Sequence, residues 1–115
     1  MGDALVDVGA ADDLADGEGL KVARARLGTT DDVGIFRDGD DFYALDNTCT
    51  HELADLTEGW IEQCQVECPL HAARFDLRTG EALSPPASKP VNAHRVEIVD
   101  GRILLAVNPA SLAED

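Results

Sequence analysis

Cys49-Thr50-His51 and Cys68-Pro69-Leu70-His71 are two short boxes, each offering one thiol and one imidazole, with the sixteen residues Glu52 to Glu67 between them. Thiolate is a soft ligand and imidazole a borderline one, so four such groups in this arrangement read as the donor set of a metal site. Tetrahedral zinc accepts two Cys and two His, but zinc modules usually draw each ligand pair from one residue type, Cys on a knuckle and His on a helix. Here each box is mixed. A two-iron cluster with both cysteines on one iron and both histidines on the other needs one ligand of each kind from each of two facing loops, and the boxes supply that set. Two iron atoms, one zinc, or four residues that merely fell at this spacing are the readings the residue types leave open.

The sequence around the boxes resembles the Rieske family, and in particular the Rieske ferredoxins of bacterial aromatic-ring dioxygenase systems. Leu56, Glu58-Gly59 and the aromatic Trp60 follow the first box as they do in those ferredoxins; Arg74-Phe75-Asp76, Thr79-Gly80 and Ser84-Pro85-Pro86-Ala87 follow the second. Asp41 to Asp46 upstream, Pro90-Val91, and the closing stretch Val96 to Val107 extend the likeness over most of the chain. It implies one [2Fe–2S] cluster on Cys49, His51, Cys68 and His71, with the histidines bound through Nδ1 so that their Nε2–H edges mark where an electron leaves. Two positions depart from the family pattern: Ala73 and Glu52 stand where glycine is common. An added Cβ there bears on loop geometry and on backbone amides expected to donate to the cluster sulfides.

The elements that must hold these loops read as mostly β. Lys21 to Leu27 alternates polar and apolar residues and predicts a strand, as does His94 to Val99 in part, while Trp60-Ile61-Glu62 and Gln65-Val66-Glu67 read as short strands between turns. Asp38-Gly39-Asp40 between Gly34-Ile35-Phe36 and Phe42 to Leu45, and Asp100-Gly101 before Arg102, predict hairpins. Asp12 to Ala15 predicts one helical turn, capped by an early acid and stopped by Gly17 and Gly19. By resemblance, the fold is all-β: an antiparallel, sandwich-like base with a cluster-binding subdomain of about residues 46–80 inserted in it, within one domain spanning 1–115. Ser84 to Ala87 is then a proline-stiffened third wall over the cluster.

Composition narrows the class. The chain has 115 residues, 44% of them hydrophobic, and no apolar run near the roughly 18 residues a membrane helix needs. Acids stand early in the N-terminus where a signal peptide carries positive charge, so a soluble cytoplasmic protein is expected. Residues 1–46 hold 12 acids against 4 bases and residues 47–115 hold 11 against 5. The formal charge of −14 repels nucleic acid and anionic membranes and attracts basic partners, unless it serves only solubility. Three cysteines do not make a disulfide framework, and Cys64 reads as a small apolar filler on the strand before the second box. His94 reads as an ordinary surface or strand histidine, and Trp60, Phe75 and Phe42 as core aromatics rather than electron conduits.

The function implied by resemblance is that of a one-electron carrier, not itself an enzyme. It would take electrons from an NAD(P)H-dependent flavin reductase and pass them to the terminal oxygenase of an aromatic-ring dioxygenase, acting as a monomer. A small Rieske-like subunit of a larger oxidoreductase, such as an assimilatory nitrite reductase, and a redox or iron sensor are the competing readings. High-potential Rieske proteins carry an extra cysteine in each box and a serine and a tyrosine that donate to the cluster. Here those positions hold Ala54 and Leu70, and Ala73 and Phe75, which implies a low potential.

Overall fold

The computed structural model describes residues 5–49, 54–69, 73–83 and 89–113. Among the described residues, nine strands form two sheets. The larger contains β1 (Leu5–Ala10), β2 (Gly19–Val22), β3 (Val33–Asp38), β4 (Asp41–Asp46), β8 (Ala93–Val99) and β9 (Arg102–Ala106), in the order β1-β9-β8-β4-β3-β2. The smaller contains β5 (Trp60–Glu62), β6 (Gln65–Glu67) and β7 (Arg74–Asp76), in that order. All strand pairings are antiparallel. Among the described residues no helix is long and apolar enough to cross a membrane.

The alternation of β3 and β4 sorts residues between two cores. Val33 and Ile35, with Ala44 opposite Ile35, pack with Val8 of β1, Val22 of β2, and Ile103 and Leu105 of β9. Strands from both edges of the large sheet meet in that cluster, so the sheet curls over itself and the base is sandwich-like. Phe36 and Leu45 point the other way, into a second core with Leu56, Val66, Phe75, Leu77, Cys49 and Cys68. The small sheet, lying in sequence between β4 and β8, is thereby bolted to the base.

Glycines set how closely the two parts approach. Thr57, in the 3-10 turn Leu56–Glu58, lies against β2 and β3: a Cβ on Gly19 would come within 2.9 Å of Thr57 Cα, and one on Gly34 within 2.7 Å of Thr57 Cγ2. A Cβ on Gly59 would sit 2.0 Å from the carbonyl oxygen of Glu67, so only glycine lets the chain enter β5 beside β6.

Both predicted hairpins form. Asp38 pairs with Asp41 around Gly39-Asp40, and Val99 with Arg102 around Asp100-Gly101, where both turn residues have positive φ. The strand expected over Lys21 to Leu27 stops at Val22, and Arg24–Leu27 forms a four-residue helix, α1. Val22 is the last residue with a partner on β3. Beyond it the Arg24 amide donates to Asp32 Oδ1 at 2.8 Å, and Gly28 in the left-handed region closes the turn through its amide to the Arg24 carbonyl. Residues 24–27 bury no side chain, so their alternation had no face to satisfy, and Ala, Arg and Leu are good helix formers. The turn expected at Asp12 to Ala15 is the 3-10 helix Ala11–Asp13, without a side-chain cap.

Candidate metal centre

Cys49 and Cys68 occupy equivalent posts. The Cys49 amide donates to the Ala54 carbonyl at 2.9 Å, and the Cys68 amide to the Ala73 carbonyl at 2.6 Å. Each cysteine thus stands at the root of a loop closed five residues later. Neither forms a disulfide with another described cysteine, their exposures are only 2% and 0%, and both belong to the same core cluster. His51, His71 and Glu52, together with Leu70 and Ser84 to Ala87, lie outside the described residues. The described residues contain no group of three or more metal-ligating side chains, as expected when two of the four candidate ligands are outside them.

The first loop is anchored by a polar knot. Thr48 and Asp55 bridge its two ends. Asn47, 1% exposed, donates through Nδ2 to Asp55 Oδ1 at 2.9 Å and accepts from the Thr57 amide at 3.1 Å, while its carbonyl takes the Leu56 amide. The Asp31 carboxylate receives both the Thr48 amide (2.9 Å) and the Thr48 hydroxyl (2.7 Å). Lys21 reaches Asp55 Oδ2 at 3.1 Å. Asn47 and Asp31 carry no metal-site signature in sequence; only an Asx-type residue just before a ligand box hints at such an anchor.

The second loop rests on the small sheet. Pairing of Val66 with Phe75 and of Glu67 with Arg74 holds the chain on either side of Cys68 to Ala73. Phe75 and Ala73 are fully buried in the core that contains both cysteines. Gly80 (φ +79°) closes the turn after β7; a Cβ there would meet the Val91 carbonyl oxygen at 1.9 Å.

The remaining cysteine, the remaining histidine and the aromatics take places that local sequence does not settle. Cys64 is in the β5–β6 turn rather than on a strand, at φ +61° beside Gln63 at +52°. The half-buried Cys64 is held there by its amide to Asp38 Oδ2 (2.7 Å) and by the Leu77 amide to its carbonyl (3.0 Å). Hydrogen bonding toward the Cys64 side chain first, then burial and the charge of Cys64, pushes the Tyr43 pKa up to about 12. His94 is a strand residue but not a surface one. The Asn108 amide donates to its Nδ1 at 2.9 Å, so Nε2 carries the proton and donates to Asp46 Oδ1 at 2.8 Å. Ser111 Oγ donates to the same carboxylate at 2.9 Å, tying the C-terminal segment to the end of β4. Of the three aromatics, Phe75 is core and Phe42 is partly buried beneath the Arg37 guanidinium, 5.1 Å from its ring centre. Trp60, 64% exposed, is not core at all: its register opposite Glu67 turns it to the outer face of the small sheet.

The described half of the donor set fits a [2Fe–2S] cluster. Two cysteines, shielded from water and brought to one apolar core from two similarly closed loops, supply the pair of sulfur donors that such a cluster takes. A single zinc would accept the same thiols, and the comparisons with known proteins separate the two. The family model described as Rieske [2Fe-2S] domain matches residues 4–97. A 3-phenylpropionate/cinnamic acid dioxygenase ferredoxin subunit from Photorhabdus laumondii is 40% identical over 98 residues, covering 84% of this chain and 89% of that protein. The ferredoxin of carbazole 1,9a-dioxygenase from Nocardioides aromaticivorans superposes with a TM-score of 0.81 at 35% identity, over 91% of this chain and 99% of that one. A chain of the complex of reduced oxygenase and oxidized ferredoxin in carbazole 1,9a-dioxygenase also gives 0.81, at 33% identity, over 91% of this chain and 94% of that one. With its ligand boxes, its antiparallel frame and these likenesses taken together, this chain belongs to the Rieske [2Fe-2S] domain family.

Proposed function

We propose that this chain is a soluble, cytoplasmic, monomeric electron carrier. In this reading it holds one [2Fe–2S] cluster on Cys49, His51, Cys68 and His71. It takes electrons singly from an NAD(P)H-dependent flavin reductase and delivers them to the terminal oxygenase of an aromatic-ring dioxygenase. The observation that carries the reading is the pair of buried cysteines, each at the root of a loop closed by its own amide, in a chain similar to dioxygenase ferredoxin subunits.

When bound, the cluster accepts and releases one electron, and neutral imidazoles in place of two thiolates raise its potential above that of an all-cysteine cluster. The chain's part is to hold the site still. Asn47, Asp31 and the Thr48–Asp55 bridge fix the first loop, and the β6–β7 ladder fixes the second. Phe36, Leu45, Leu56 and Phe75 keep water from the cysteine side. His51 and His71 would then present the electron-exit edge. The −14 charge supports basic protein partners over nucleic acid or anionic membrane.

The test begins with the purified chain, reduced anaerobically and mixed with the terminal oxygenase of the same organism. Reoxidation that depends on the oxygenase and its aromatic substrate supports the carrier reading. A chain obtained only in fixed stoichiometry with a larger subunit would instead favour the subunit reading.

A further inference from the structure

We propose that the outer face of the small sheet carries an arginine clamp, formed by the Trp60 indole and the Glu62 carboxylate, which grips a guanidinium on a protein partner. This rests on the carrier reading in taking the partner to be a redox protein. The sheet's alternation places Ile61, Val66 and Phe75 on the core side and Trp60, Glu62, Gln65, Glu67 and Arg74 on the solvent side. Trp60 is the only tryptophan in the chain, and it stands 64% exposed. Two residues along the same strand face, roughly 7 Å away, is exposed Glu62.

The neighbouring charges are already paired. Glu67, opposite Trp60, is bridged by Arg74 at 3.2 Å, and Asp76 by Arg78 at 3.6 Å. Glu62 has no ion-pair partner among the described residues. An incoming cation therefore meets one uncompensated carboxylate beside one open aromatic face. The groove between Trp60, Glu62, Gln65 and Arg74 holds about 50 Å³, room for a side-chain head group and too little for an aromatic substrate. A planar guanidinium can stack on an indole while donating two N–H groups to a carboxylate, which a lysine ammonium cannot do. The chain uses the same stacking internally, with Arg37 over Phe42. Glu67, the cross-strand partner of Trp60, directly precedes Cys68, so a partner held here lies next to the second ligand loop.

The experiment compares holoprotein variants by fluorescence anisotropy of labelled nona-arginine and nona-lysine, and by electron-transfer kinetics with the reductase and oxygenase of the same organism. The wild-type chain should prefer nona-arginine. Trp60→Leu should weaken that binding about tenfold and erase the preference, with Trp60→Phe intermediate and Glu62→Gln weakening it about threefold. The same variants should raise the KM for at least one protein partner while the EPR spectrum and the potential of the cluster stay as in wild type. Equal binding of the two peptides, or binding indifferent to Trp60→Leu, overturns the clamp, as does an unchanged KM for both proteins. A wild-type chain that binds nona-arginine in the expected way but exchanges electrons with neither protein overturns the carrier reading and leaves the clamp standing.

Discussion

The amide of Cys68 donates to the carbonyl of Ala73 at 2.6 Å, as the amide of Cys49 does to that of Ala54 at 2.9 Å. Since both bonds are made by backbone, each cysteine is placed by its own loop closure whatever its side chain binds. Cys49→Ser and Cys68→Ser should therefore keep the strand signature in far-ultraviolet circular dichroism while losing the cluster. Two irons and two acid-labile sulfides per chain are expected for the wild type, and far less for either variant. Cys64→Ser should keep both counts. A bleached Cys64→Ser protein, or stoichiometric zinc in wild type grown with ample iron, would remove the assignment.

Asn47, just before the first loop, ties its start to its end, donating to Asp55 and accepting from the Thr57 amide while itself buried. Asn47→Ala strands both partners and should cost about 2 kcal/mol in chemical denaturation. Asn47→Asp keeps the acceptor for Thr57 but sets a second carboxylate against Asp55, and should be at least as damaging. A cost under about 0.5 kcal/mol for both would show that the loop is held elsewhere.

Tyr43 is the only tyrosine, so its ionisation can be followed directly by absorbance. The hydrogen bond with Cys64, then burial, raises its pKa to about 12 in the folded chain, against about 10 in an unfolded one. The fold thus favours the neutral phenol. Its contribution to stability is complete below pH ~10 and is lost as pH rises toward about 12, because the unfolded chain ionises first. Cys64→Ala should move the absorbance transition down toward its ordinary position; no movement would mean that Cys64 is not the cause.

How much of this is legible in sequence depends on the range of the interaction. The ligand boxes are legible because cysteine and histidine announce their chemistry and each box is contiguous. Strands β5 and β6 are legible as short runs between turns, and both hairpins as turn residues between apolar runs. The place of Trp60 is not, because only the register opposite Glu67 decides which face it takes, and an aromatic in a short strand otherwise reads as core. His94 draws its partners from Asn108 and from Asp46, the latter 48 residues away, a distance at which no spacing rule speaks. Gly19 and Gly34 are needed for the close approach of Thr57, a residue far along the chain whose contact leaves no local mark.

The absent hydroxyls near Cys68 bear on the redox potential. Ala73 and Phe75 are both fully buried in the core that holds Cys49 and Cys68, at positions where high-potential Rieske proteins carry a serine and a tyrosine. A hydroxyl there would donate to a cluster sulfide or a ligand thiolate and stabilise the more negative, reduced state. Without those donors the potential should fall toward the low end of the Rieske range, which runs from about −150 to +300 mV. Ala73→Ser adds one oxygen beside an amide-closed loop, and Phe75→Tyr adds one to a ring with no exposed surface, so each variant must find room as well as a partner. Where the hydroxyl is accommodated, protein-film voltammetry should record a rise in potential, with the double variant higher than either single one. A value near +300 mV for the unmodified chain would contradict the hydrogen-bond argument and would suit quinol oxidation better than a relay between a flavin and an oxygenase.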